Sequence, residues 1–206
     1  ASCSSSTRGV GAGGDDSGNV NVIQYITMAS AGNATDFGDL TLARKEFCGF
    51  ESPTRGVFAG GDASTPVTNT IDYITIASTG NATDFGDTSV ACYNNSAVSS
   101  STRGVIQVGQ NSSDAYVNTL EYVTIGSTGN TTDFGDTVSS IANRGSASNN
   151  DRGVFAGGSI FSGGTTVYNN IEYITIASTG NGTDFGDLLF SGRWRMGCSG
   201  SHGGLQ

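Results

Sequence analysis

The apolar residues of this chain occur in short alternating runs, a pattern that predicts β-strands. In residues 69–78, Ile71 and Tyr73 fall on one side of a strand, whereas Ile74 and Ile76 fall on the other. A strand with large apolar residues on both sides is packed on both sides, so we expect each sheet to be covered by a neighbour. Turn-forming sequences, mainly Gly-Gly and Ser-Thr-Gly-Asn, separate these runs.

Two sequence blocks recur four times and divide the chain into units. The first, Arg-Gly-Val-Phe-Ala-Gly-Gly in its clearest copies, recurs at intervals of 47, 48 and 49 residues, starting at Arg8, Arg55, Arg103 and Arg152. The second starts with a tyrosine that a phenylalanine follows 12 residues later; the pairs are Tyr25/Phe37, Tyr73/Phe85, Tyr122/Phe134 and Tyr173/Phe185. We expect these rings to be buried between units. The single repeat domain comprises units of approximately residues 3–47, 48–95, 96–144 and 145–198, with a closing C-terminal segment.

Each unit contains four predicted strands. In the second unit these are a strand within residues 41–50, the Arg-Gly-Val block, residues 69–78 and a short strand after Asp-Phe-Gly-Asp. Four short strands in about 48 residues are typical of a β-propeller blade. We therefore predict an all-β propeller of four blades, closed by residues 194–199 pairing near the N-terminus, which would remove exposed edges. The alternative is that the 206 residues belong to a longer array of units.

The units resemble Kelch-type propeller blades. The resemblance is carried by the repeated tyrosines and by the glycine pairs Gly13/Gly14, Gly60/Gly61 and Gly157/Gly158. Kelch units usually carry a tryptophan soon after the tyrosine, whereas this chain has a later phenylalanine. The near-identical Thr-Arg-Gly-Val-Phe and Tyr-Ile-Thr-Ile-Ala-Ser-Thr-Gly-Asn-Ala-Thr-Asp-Phe-Gly-Asp repeats are similar, more specifically, to those in structural or tail-associated proteins of marine bacteriophages. This resemblance covers nearly the whole chain and implies a virion component, but no enzyme and no particular ligand.

Composition and charge argue against several classes of function. Nine basic residues against 18 acidic ones give a net charge of −9, which leaves no basic surface for nucleic acid. No apolar run reaches the ~18 residues of a membrane-spanning helix and no leader precedes Ala1, so we expect a soluble, processed or excerpted product without membrane insertion. The cysteines are too scattered for a zinc cluster, and either two disulfides or free buried thiols are compatible with them: Cys3, Cys48, Cys92 and Cys198.

Repeated charged residues are the first candidate sites. We predict that each repeated arginine is a structural clamp that holds an aspartate of the Asp-Phe-Gly-Asp motif or a backbone carbonyl of a neighbouring blade. The repeated aspartates either shape turns and strand starts or bind a cation such as Ca²⁺, and we favour the structural role. These aspartates are Asp36, Asp39, Asp84, Asp87, Asp133, Asp136, Asp184 and Asp187. We expect no other metal or cofactor and no catalytic residues.

Four aromatic residues outside the repeated positions are candidates for glycan contact: Tyr116, Phe161, Tyr168 and Trp194. The regular repeats, without a unique cluster of acids, favour a non-enzymatic structural or adhesion module of a virion. It would be a tail-fibre, tail-associated or capsid-decorating protein at the virion or extracellular surface. Its expected partners are other virion proteins or host-surface glycans, and a homo-oligomer is compatible with the sequence. The alternative is a carbohydrate-binding propeller module.

Overall fold

All regular structure in the described residues is β-strand. The computed structural model describes residues 1–64, 66–161, 163–193 and 197, and these residues form twenty strands and no helix. The prediction of an all-β chain is therefore confirmed.

Sixteen of these strands form four antiparallel sheets, each with four strands in chain order. The first sheet contains β1 (Ser2–Ser4), β2 (Arg8–Asp15), β3 (Asn19–Thr27) and β4 (Thr35–Asp39). The second contains β5 (Cys48–Glu51), β6 (Arg55–Ala59), β7 (Thr70–Thr75) and β8 (Thr83–Asp87). The third contains β10 (Ser96–Ser99), β11 (Arg103–Gln107), β13 (Thr119–Thr124) and β14 (Thr132–Asp136). The fourth contains β15 (Gly145–Ser148), β16 (Arg152–Ala156), β19 (Asn170–Thr175) and β20 (Thr183–Asp187).

Two short antiparallel strand pairs complete the described structure. Strand β9 (Cys92–Tyr93) pairs with β12 (Gln110–Asn111), and β17 (Ser159–Phe161) pairs with β18 (Thr165–Val167). Both β12 and the β17–β18 pair lie between the second and third strands of their units, after the Gly-Gly position where the units differ most in length.

The leading strands of the four sheets, β1, β5, β10 and β15, lie side by side in chain order. Together they line one cleft of about 830 Å³, which also reaches the outer face of the first sheet. The sheets therefore follow one another around a shared space, each with one face towards the next.

A β-bulge explains the repeated Asp-Phe-Gly sequence. In the second sheet Asp72 pairs with Asp84 and Ile71 pairs with Gly86, so Phe85 is the extra residue between them. Gly86 has a φ of +144°, a conformation that side chains with a Cβ resist. The same shift in register occurs in the other three sheets, and in each of them the phenylalanine has no paired residue on the neighbouring strand.

The hydrophobic core consists of three clusters, each lying between two successive sheets. Strand β7 contributes to two of them: Ile74 packs towards the first sheet, whereas Ile71 packs towards the third. The prediction that this strand is packed on both sides is confirmed. The prediction that the repeated rings are buried is confirmed for Phe37, Phe85 and Phe134, whereas the four repeated tyrosines are only half-buried. Phe185 is exposed because no described sheet covers the fourth sheet.

Two predicted strand positions differ from the structure. The strand predicted within residues 41–50 is β5, which starts only at Cys48; before it, the N–H of Arg44 donates to the carbonyl of Val20 and the N–H of Lys45 to that of Asp62. The fourth strand of the second unit is the Asp-Phe-Gly-Asp segment itself and does not follow it.

The ring predicted from the repeats is not closed within the part of the chain that the structure describes. No hydrogen bond between described residues joins the fourth sheet to the first. The predicted closing segment, residues 194–199, lies outside the described residues except for Gly197, so closure by this segment stays a prediction. In the first sheet, the place beside β2 is already taken by β1.

Candidate functional site

The repeated arginines lie at the junctions between successive sheets. Arg8 donates a hydrogen bond to the backbone carbonyl of Ile76 at 2.7 Å, across the junction between the first and second sheets. Arg55 and Arg103 donate to the equivalent carbonyls of the next sheets at 2.9 Å. Each of these guanidinium groups therefore holds the chain just beyond the third strand of the following sheet.

Each arginine also stacks on the repeated tyrosine of its own unit. The guanidinium carbon of Arg8 is 4.4 Å from the ring centroid of Tyr25, a distance at which a cation is attracted to the ring. Arg152 makes the same contact with Tyr173 at 4.3 Å. Arg152 is nevertheless exposed, and its guanidinium has no hydrogen-bond partner among the residues that the structure describes. Stacking is thus common to all four units, whereas the carbonyl contact needs a following sheet.

Of the two partners predicted for these arginines, only the carbonyl is observed in the described residues. The ion pairs found there are Arg44–Asp72, Lys45–Asp15 and Arg144–Glu172, and none involves the repeated arginines or the Asp-Phe-Gly-Asp carboxylates. Whether the carbonyl contact acts as a stabilising clamp stays a prediction, which the variants described below would test.

A backbone ladder joins each of the first three Asp-Phe-Gly-Asp strands to the turn of the next unit. At the first junction the N–H of Gly80 donates to the carbonyl of Phe37 at 2.7 Å, and the N–H of Ala82 donates to the carbonyl of Asp39 at 2.8 Å. The side-chain oxygen of Asn81 accepts from the N–H of Asp39 at 3.1 Å. The same three bonds recur at the second and third junctions. The Gly-Asn turn is therefore a docking element for the preceding unit as well as a turn.

The repeated aspartates contribute mainly through their backbone. In the first three units the first aspartate of each motif is exposed and the second is half-buried. No group of three or more acidic, cysteine or histidine residues in the described ranges is arranged to hold a metal ion. These contacts support the structural role that we favoured, and calcium binding stays a prediction.

The sequence patterns did not reveal the charged residues that are buried at the first junction. Arg44 and Asp72 are fully buried and form an ion pair of 3.1 Å, and Asp72 also accepts a hydrogen bond from the hydroxyl of Thr41 at 2.5 Å. Burial lowers the pKa of Arg44 because it penalises the charged form, and the nearby Asp72 partly opposes this. One signal could have indicated this pair: an acid in the middle of a strand that is apolar on both sides.

The same acidic position is used at the other two junctions. Glu121 accepts hydrogen bonds from the backbone N–H and the hydroxyl of Ser89 in the preceding unit. Glu172 accepts from the N–H of Val138 at 2.8 Å and forms a 3.1 Å ion pair with Arg144. A buried acid at each junction thus receives donors from the preceding unit, which satisfies a charge that would otherwise be costly.

Two of the four candidate glycan-contact residues, Tyr116 after β12 and Phe161 at the end of β17, lie together. The hydroxyl of Tyr116 accepts a hydrogen bond from the N–H of Phe161 at 2.7 Å, and the Phe161 ring is exposed. The guanidinium carbon of Arg193 lies 4.6 Å from the centroid of that ring. Tyr168 is half-buried and its backbone bonds Gly158 and Gly192, so it serves the loop framework. Trp194 lies outside the described residues.

A further tyrosine, which sequence reasoning missed, extends this aromatic surface. Tyr93 donates a hydrogen bond from its hydroxyl to the carboxylate of Asp114 at 2.6 Å. Burial raises the pKa of Tyr93, and the hydrogen bond to Asp114 raises it further. Tyr93 lies in a segment whose sequence does not recur in the other units, so the repeats did not point to it.

The described cysteines are free thiols. Cys3, Cys48 and Cys92 are all buried and form no disulfide with one another, which favours the second of the two states that the sequence left open. Burial raises the pKa of each thiol, that of Cys92 to about 11, so these groups are uncharged near neutral pH. Cys198 lies outside the described residues.

Comparisons with known proteins give no assignment. No protein-family model matches the chain, and no curated protein shows significant similarity to it. In residues 1–64, 66–161, 163–193 and 197 no helix has the length and apolarity needed to cross a membrane. Function is therefore inferred from the contacts and burial described above.

Proposed function

We propose that the four sheets are Kelch-like blades of a β-propeller, and that the protein is a non-enzymatic structural or adhesion module of a virion. In this role it would be a tail-fibre, tail-associated or capsid-decorating component at the virion or extracellular surface. It would bind other virion proteins or host-surface glycans, and not nucleic acid.

The repeated junction is the observation that carries this proposal. Three successive junctions use the same arginine-to-carbonyl bond, the same backbone ladder and a buried phenylalanine. The charged groups that are most buried, such as Arg44 and Asp72, connect neighbouring sheets. Leading strands from all four sheets also line one cleft, the arrangement expected of blades around a common axis. A polar surface of loops mounted on such a rigid scaffold suits recognition or assembly.

The virion role is tested by asking where the native protein is found. An antibody raised against the purified chain should label intact particles in immunogold electron microscopy, and the label should follow the particles through a density gradient. Particles from a deletion strain are the control. If label were confined to soluble fractions, the virion role would be refuted, whereas the blade arrangement would be unaffected.

A carbohydrate-binding propeller module is the second candidate, and the aromatic surface favours it. Phe161 presents an exposed ring; the hydroxyl of Tyr116 accepts a hydrogen bond from its backbone N–H, and the guanidinium of Arg193 lies over the ring. An exposed aromatic ring offers a large apolar surface on which the apolar face of a sugar can stack. The site is formed by loops that differ between units, which is where specificity is expected in a repeat scaffold.

A glycan array distinguishes these two functions. If the aromatic surface binds glycan, Phe161→Ala should remove the signal, whereas Val90→Ala, a change at another exposed apolar residue, should leave it unchanged. The absence of any wild-type signal across bacterial surface glycans would refute the carbohydrate-binding alternative.

A further inference from the structure

The two outermost faces of the described sheets carry the two halves of one more junction. Every internal junction joins an Asp-Phe-Gly-Asp strand and an arginine on one sheet to a Gly-Asn turn and three apolar residues on the next. The fourth sheet keeps the first set on its outer face, and the first sheet keeps the turn and two of the three apolar positions on its own. Neither set has a counterpart among the described residues.

The fourth sheet presents the half of this interface that consists of the Asp-Phe-Gly-Asp strand and the arginine. Phe185 is 54% exposed, whereas its equivalents Phe37, Phe85 and Phe134 are each 2% exposed. Arg152 keeps its stacking contact but has no carbonyl to bind among the described residues. The backbone groups of Asp187, which correspond to those that form the internal ladders, are also without described partners outside their own sheet.

The first sheet presents the half that consists of the Gly-Asn turn and the apolar residues. Ile26 is 46% exposed, whereas its equivalent Ile74 is 3% exposed at the internal junction. Met28 is 58% exposed, and its carbonyl corresponds to the carbonyl of Ile76 that Arg8 binds. The turn at residues 31–34 has the Gly-Asn sequence that docks in every other unit, and here it is exposed.

We infer that these two faces bind each other between two copies of this chain, joined head to tail. The internal junctions identify the occupant, because they show the chemistry that covers each face: another unit of this same repeat. Such an interface is heterologous, so further copies either close a ring or extend an array. One position departs from the internal pattern: Gly11 stands where the other sheets carry Phe58, Ile106 and Phe155. We therefore expect this contact to be weaker than an internal junction. The inference does not depend on the virion role proposed above.

Sedimentation velocity and light scattering test this association. Wild-type protein should show a mean mass above that of the 20.9 kDa chain, rising with concentration between about 1 and about 300 µM. Phe185→Asp and Ile26→Asp should each abolish the rise, because each removes one half of the interface. Both residues are exposed, so both variants should keep the far-ultraviolet spectrum of the wild type. Val90→Asp changes an exposed apolar residue in an internal unit and should associate normally.

Mixing the two face variants gives the decisive result. Phe185→Asp retains the face of the first sheet, and Ile26→Asp retains the face of the fourth, so an equimolar mixture should form a 1:1 dimer that neither variant forms alone. A wild-type mass of 20.9 kDa at every concentration would overturn the inference and favour closure within one chain or another occupant. Association that persists in either variant alone would also overturn it, because the contact would then be symmetric or elsewhere.

Discussion

Replacing Phe85 by alanine removes a ring that is buried between the second and third sheets. The ring is 2% exposed and packs edge-on against Tyr73, with 5.9 Å between the ring centroids. It belongs to a cluster that also contains Val123 and Ile125 of the third sheet. Its removal therefore leaves a cavity at a junction that the backbone ladder prevents from collapsing fully.

The expected cost of Phe85→Ala follows from these contacts. Truncating a buried phenylalanine costs about 3–5 kcal/mol, of which the edge-on aromatic pair accounts for about 0.5–1.5 kcal/mol. In a domain of this length each kcal/mol lowers the melting temperature by roughly 2–4 °C. We therefore expect the melting temperature to fall by roughly 6–20 °C.

Phe185→Ala is the matched control. Phe185 has the same neighbours in sequence, the same bulge and the same tyrosine contact at 5.9 Å, but it is 54% exposed on an outer face. Its truncation should cost less than about 1 kcal/mol at about 1 µM protein, where association between copies is minimal. Because the local sequences match, effects on the unfolded chain largely cancel in the comparison.

Urea unfolding followed by far-ultraviolet circular dichroism measures both variants. Equal losses would show that the phenylalanine stabilises its own strand, and the packing between sheets would then not explain its repetition. Negligible loss in Phe85→Ala would refute the burial argument altogether.

Three further predictions concern the junctions and the thiols. Arg103→Lys keeps the charge but loses the planar fork, so it should cost about 1 kcal/mol in thermal unfolding, whereas Arg152→Lys, which lacks a carbonyl partner in the described structure, should be nearly neutral. Both Gly86 and Gly186 have positive φ, so alanine is strained at either position. Gly86→Ala also places a Cβ 2.5 Å from the turn of the next unit, whereas Gly186→Ala meets no neighbouring atom, so the urea midpoint should fall further for Gly86→Ala. Burial raises the thiol pKa of Cys92 from 9.0 to about 11, so below pH 9 the thiol is protonated in both the folded and the unfolded chain. As the pH rises from 9 towards 11, the thiol of the unfolded chain ionises first, and the folded protein therefore loses stability. The stability difference between wild type and Cys92→Ala, measured by urea unfolding, should therefore narrow between pH 9 and 11; a constant difference would contradict the burial of this thiol.

The repeats predicted the strands and the packing register, because both depend on local pattern. Apolar residues on both sides of β7 indicate that the strand is packed on both sides. The constant number of residues between the tyrosine and the phenylalanine reflects the bulged pairing between β7 and β8. The sequence predicted two partners for each repeated arginine and did not distinguish between them. A guanidinium can donate to a carboxylate or to a carbonyl, and the offset between sheets determines which one it reaches.

Some contacts could not be predicted because they involve residues outside the repeated positions. Tyr116 and Phe161 meet across 45 residues, and each lies between the second and third strands of its unit, where the units differ most in length. The ion pair between Arg44 and Asp72 was predictable only on its acidic side, because an arginine between strands is normally solvated and the residues around Arg44 do not indicate its burial. Such residues are placed by the assembly of the sheets, which the alternation of apolar positions does not encode.

The repeat also encodes the chemistry of a junction without encoding how many junctions form. Fully burying an apolar side chain contributes about 1.5–3 kcal/mol, so covering Phe185, Ile26 and Met28, each roughly half-exposed, would contribute about 2–5 kcal/mol. Association between copies first costs an estimated 4–15 kcal/mol in lost translational and rotational freedom, whereas internal junctions escape most of that cost because the chain already connects their sheets. The remaining hydrogen bonds, at about 1 kcal/mol each, must supply the difference. A junction between copies is therefore expected to be weak and dependent on concentration, even though its groups match those that hold the interior together.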